Sequence, residues 1–255
     1  MRTPGKMRAF TTRMLASIPS IFTRAIDNDR GNAEDRAWAS LLGHQIPDLT
    51  VPPRLTRDER FGVNMFRGFT EIHACIERLK DCETYISRYP FAKTRVTRAA
   101  YLQLVVEIHL HELHILQERI ISYLKQIERA YKADARASQI KKSTTYFEKR
   151  VADHLGSLTK IRGKHVHELR YEHPAIDRLR LADLLLRGPD PIFTKKIRNI
   201  RRDAIRDSHS KLKVQARAWN NVVNEICNEL FDGLIPVLFA ADGKAFLFPA
   251  PVKRG

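Results

Sequence analysis

The sequence predicts an all-α protein, an antiparallel four-helix bundle with a short extra helix after the third long one and irregular N- and C-terminal extensions. Three observations lead there. Apolar residues recur at helical spacing over four long stretches, and Gly and Pro punctuate the gaps between them. No internal repeat and no strand-rich region interrupts the pattern.

Taken in order, Met1 to Ile26 carries Arg2, Lys6, Arg8, Arg13 and Arg24 with no acid, and reads as a flexible basic tail. It lacks the apolar core of a secretory signal. Asn32 to Leu42 suits a short helix around Trp38, and Pro47, Pro52 and Pro53 impose an extended lead-in. Residues 1–56 are therefore expected to form a basic arm, and residues 57–255 the bundle with its tail. The first long helix is predicted over Arg57 to Arg88, with Phe61, Met65, Phe69, Ile72, Ile76, Leu79 and Ile86 on one face and Pro90 closing it. Thr97 is a suitable cap for the second, Arg98 to Lys132. Its main stripe runs from Leu102 through Val106, His109, Leu113 and Leu116 to Tyr131. Leu104, Ile108 and Ile115 form a second apolar side, which a second subunit would cover, so a homodimer is expected. The third helix is predicted over Gln139 to Leu169, and a short one over Ala175 to Leu186. The fourth is predicted over Pro191 to Leu234, with Gly233 and Pro236 marking its stop. Val237 to Phe248, around Asp242-Gly243, suits a small hairpin.

Composition narrows the partners. The 45 Lys and Arg against 29 Asp and Glu leave a net charge of +16, which attracts polyanions, nucleic acid first. The hydrophobic fraction of 43% is that of a folded chain with a real core. Cys75, Cys82 and Cys227 show neither a CxxC pair nor metal-ligand spacing, so they read as apolar fillers in a reducing, cytoplasmic compartment. No apolar run has the length of a transmembrane helix. Walker, GxGxxG, GxSxG and HExxH patterns are absent, and no cofactor is expected. Glu107, His111, His114 and Glu118 share an arc of the second helix and could ligate a metal, but they project away from the main stripe, so a polar face is the simpler reading. His109, on the stripe itself, reads as a core histidine.

Two clusters carry chemistry. Lys195, Lys196, Arg198, Arg201 and Arg202 crowd the start of the fourth helix and are the expected RNA contacts. The other lies towards the end of the third helix, in Ile161-Arg162-Gly163-Lys164-His165-Val166-His167-Glu168. A guanidinium can clamp a phosphate through a planar fork, and an imidazole can move a proton near neutral pH. With four residues between Arg162 and His167, and a second run at Glu107 to Arg119, the chain resembles the HEPN superfamily of helical-bundle ribonucleases and nucleotide-binding domains. The resemblance spans about residues 56–238. It implies metal-independent RNA cleavage with Arg162 and His167 as the catalytic pair, and Lys164, His165 and Glu112 in supporting places. It also implies a composite cleft in a homodimer, a defence or toxin setting, and an antitoxin or other regulatory partner. The family often carries a polar residue directly after the arginine. Gly163 stands there instead, the departure expected of a non-catalytic RNA- or protein-binding member.

Overall fold

The computed structural model describes residues 5–17, 56–90, 95–167, 173–187, 191–242 and 246–250, without the side chains of 157–167 and 191–193. The regular structure of these residues is helical apart from one antiparallel bridge. We label the helices α1 (5–17), α2 (Arg57–Ser87), α3 (Arg98–Ala130), α4 (Ala137–His167), α5 (Pro174–Leu185) and α6 (Pro191–Leu238).

The helix starts follow local chemistry. Thr56 and Glu59 form a reciprocal capping box at α2: the Thr56 hydroxyl accepts from the Glu59 amide at 3.2 Å, and the Thr56 amide donates to Glu59 Oε2 at 2.6 Å. Thr97 caps α3 as expected, accepting from the Ala100 amide at 3.1 Å. α5 opens with Pro174 in its first turn behind His173, whose Nδ1 accepts from the Ala175 amide at 3.3 Å. α4 begins two residues earlier than its periodicity suggests. Asp134 there holds the Arg136 backbone and guanidinium, at 2.9 Å each, in the turn that precedes it. The side-chain bond from Arg136, with the backbone amides of Arg136 and Ala250, keeps the Asp134 carboxyl well below the usual carboxylate range.

The chain divides into two compact units. One compact unit takes Met1–Phe69, Lys125–Thr144 and Asn228–Gly255, and the other Thr70–Leu124 and Thr145–Cys227. Within the first, the basic arm is corrected: residues 5–17 are a helix packed into a core, not a loose tail. Met7, Phe10, Met14 and Ser17, at a spacing of three and four, are buried, while Lys6 and Arg8 face outward. Phe10 contacts Phe69, Phe231 and Phe239 at ring-centroid distances of 5.3, 4.7 and 5.3 Å. The Met7 amide, one of the unpaired donors of a helix start, donates to Asn228 Oδ1 at 3.1 Å, and Lys6 pairs with Asp232 at 2.7 Å. The predicted short helix over Asn32 to Leu42 lies outside the described residues.

α6 overruns its expected stop. Pro236 sits inside the helix, yet Leu234, Val237 and Leu238 are buried, and that packing carries the chain through the missing amide. The expected hairpin shrinks accordingly to a bridge between Phe239 and Phe246, with the Leu247 amide donating to the Leu238 carbonyl at 2.8 Å.

In the second unit, α2, α3, α5 and α6 share one apolar cluster. It contains Cys82, Ile86, Leu102, Val106, Leu110, Ile176, Leu179, Ala204, Leu212 and Ala216, with Trp219 packed against it. Cys75, Cys82 and Cys227 are buried and free; burial first, with nearby negative charge, pushes Cys82 up to about 12.

Candidate nucleic-acid interface

α4 remains helical through Gly163 to His167, so the backbone puts Arg162 and His167 about 140° and roughly 7.5 Å of rise apart, with Arg162 and His165 nearer neighbours. The side chains of Arg162, Lys164, His165 and His167 lie outside the described residues, as does Tyr171 and the ring of Phe193.

Glu112, expected in a supporting place, is buried on α3 and reaches Arg78 of α2 at 3.4 Å. Its second carboxylate oxygen has no hydrogen-bond partner among the described residues. It therefore bears on α2, where its charge adds to the upward push on the Cys75 and Cys82 thiols.

The cations of α6 separate into two kinds. Lys195, Lys196, Arg198 and Arg202 are exposed. Lys195, Arg198, Arg202 and Arg206 are spaced three, four and four apart, which keeps them within about 80° on the face opposite buried Ala204. Arg202 donates to Asn199 and Arg206 pairs with Asp203, both along the helix surface. Arg201 differs. It turns towards α5 and pairs with Asp183, whose side chain is 13% exposed, so its charge is already matched. No signal local to α6 reveals this, because the acid comes from a separate helix.

The polar face of α3 offers no built metal site. Glu107 accepts from Gln103 at 2.7 Å, and His111 and Glu118 are exposed. Among the described residues, no group of three or more His, Cys, Asp or Glu side chains is placed to hold a metal ion. No helix among them is long and apolar enough to cross a membrane.

His109 is a core histidine: it is 1% exposed, edge-on to Trp219 at 5.2 Å, and burial lowers its pKa to about 4. Trp219 is thereby committed to packing rather than to stacking bases. The titration has a definite sign. Unfolded chains bind a proton at this histidine below about pH 6.5, whereas the folded state resists it until about 4. Stability is thus full above the higher value and falls as pH drops between the two, by on the order of 3 kcal/mol. Burial shifts His173 and His209 in the same direction, so they add to the trend. We expect urea midpoints to decline from about pH 7 to pH 5, and His109→Leu to flatten that decline without abolishing it. An unchanged slope in a folded His109→Leu protein would exclude this histidine as its main source.

Comparison with known protein families, curated proteins and solved structures finds no match to the chain.

Proposed function

We propose that the chain is a metal-independent endoribonuclease of the HEPN type, with α2, α3, α4 and α6 as its antiparallel bundle, acting in a defence or toxin setting. One observation carries the reading. Arg162 and His167 close a helix of 31 residues, and the same compact unit presents an exposed row of cations on α6. In this reading the α6 row draws the RNA backbone in, and Arg162 holds one phosphate and offsets the charge that builds on it. His167 takes the proton of the ribose 2′-hydroxyl, or gives one to the departing 5′-oxygen. The 2′-oxygen bonds to the adjacent phosphorus as the bond to the 5′-oxygen breaks, leaving a 2′,3′-cyclic phosphate and a 5′-hydroxyl. Leu104 and Ile108, 54% and 41% exposed on α3, are the surface on which a second copy would pack to make a shared cleft. Cleavage of labelled RNA in excess chelator, with cyclic-phosphate ends, is the defining assay. An intact RNA that nevertheless binds tightly selects the second reading, a non-catalytic HEPN-like module, which Gly163 favours.

Binding has its own expected result. Replacing Lys195, Arg198 and Arg202 together by glutamine should lower the slope of log affinity against log salt by about 2, since each lost phosphate contact releases fewer counterions. Arg201→Gln should leave that slope nearly unchanged and lower the melting temperature instead, because it strips Asp183 of its partner. A wild-type slope in the triple variant would remove α6 from the RNA path.

A further inference from the structure

We propose that the outward face of α5, together with the cavity beside its C-terminal half, is a docking site for an acidic amphipathic helix of another protein. This goes beyond the ribonuclease reading and does not rest on it.

α5 is only 12 residues long, yet it is apolar on two sides. Ala175, Ile176, Leu179 and Ala182 are buried in the core of their unit. Leu181, Leu184 and Leu185, at steps of three and one, are 56%, 63% and 49% exposed, so packing among the described residues leaves them largely uncovered. Scattered single leucines need no explanation, but three on one face of so short a helix do. Arginines border them on both sides: Arg178 beyond Leu181 and Leu185, and Arg180 and Arg187 beyond Leu184, all exposed. The acids nearby do not neutralise this rim. Asp183 is taken by Arg201, and Asp177 meets Arg180 at 2.8 Å between two well-exposed side chains, a weak pairing in water.

Beside Leu184 lies a cavity of about 240 Å³, lined by Thr97, Ala100, Arg180, Asp183, Leu184 and Arg187. That is below the roughly 300–1,000 Å³ of small-molecule sites and suits one anchoring side chain. An apolar ridge with a side-chain pocket and a cationic rim is the complement of an amphipathic helix with one apolar anchor and flanking carboxylates. RNA has the charge but nothing to cover three leucines, and a lipid surface has no use for a pocket the size of one side chain.

The test titrates the full chain with a fluorescein-labelled peptide of about 20 residues, long enough to hold a helix, with leucines at i, i+3, i+4 and i+7 and glutamates alongside. We expect saturable binding that weakens about tenfold or more in Leu184→Glu, in the Arg180→Glu/Arg187→Glu pair, and for a scrambled peptide of the same composition. A lysine-flanked version should prefer the double-glutamate protein to the wild type. These positions are exposed, so the variants should melt with the wild type, and the loss then reports docking. Equal binding of ordered and scrambled peptides, or no loss in either variant, overturns the proposal. Tighter binding to phosphatidylserine vesicles, lost in the same variants, overturns it in favour of a lipid surface. A drop in RNA affinity in Leu184→Glu as large as the peptide loss overturns it in favour of RNA.

Discussion

Replacing His167 by alanine should remove most RNA cleavage, by about 10²–10⁴-fold, as loss of a positioned acid–base group usually does. Arg162→Ala should lose a comparable amount. Arg162→Lys should recover little of it, because a point charge cannot reproduce a bidentate fork on phosphate. His165 separates the assignments. It lies three residues from Arg162, where a continuous α4 brings the two close, and it falls on the apolar stripe with Phe147 and Leu158. We therefore expect His165→Ala to lower the melting temperature more than it lowers cleavage per folded molecule. Single-turnover cleavage of a labelled RNA, with end analysis and a melting curve for each variant, measures all four. Full activity in a folded His167→Ala protein would sink the assignment, and loss confined to His165→Ala would move the proton transfer there.

The second large effect is on stability. Phe10 is fully buried and touches three other rings, so Phe10→Ala leaves a cavity and should cost about 3–5 kcal/mol. Arg8→Gln, about half a turn away on the exposed side of α1, should stay within about 0.5 kcal/mol. Chemical denaturation distinguishes a core helix from an appended arm: if both variants unfold with the wild type, α1 contributes nothing to the fold.

The helical class and most helix positions could be read from periodicity and punctuation. Arg57, Arg98 and Pro191 start helices where caps and prolines indicate, and Thr97 caps as its side chain suggests. α1 was hidden because its five basic neighbours outweighed a regular Met7, Phe10, Met14 spacing that was there to be counted. The stop of α6 was misplaced because Pro236 is a local signal, whereas the burial that overrides it is tertiary. At the candidate site, the positions of Arg162 and His167 on a helix were legible. Which α6 cation is already neutralised was not, since Asp183 belongs to a separate helix. α5 did carry a readable warning: Leu179 and Ala182 point one way and Leu181, Leu184 and Leu185 another.

The make-up of the first compact unit bears on how the chain comes off the ribosome. Its helix α1 comes before the rest of the unit in the chain, and the Met7–Asn228 and Lys6–Asp232 contacts join residues 221 and 226 positions apart. Every segment of the other unit is translated before Asn228. At about 5–20 residues per second, α1 waits roughly 10–40 s for the residues that complete its core. Throughout that interval Phe10 and Met14 have no Phe231 or Phe239 to pack on, so the second unit can close while the first is still open. Contacts of such long range make the closing step slow and leave the apolar side of α1 uncovered in the nascent chain.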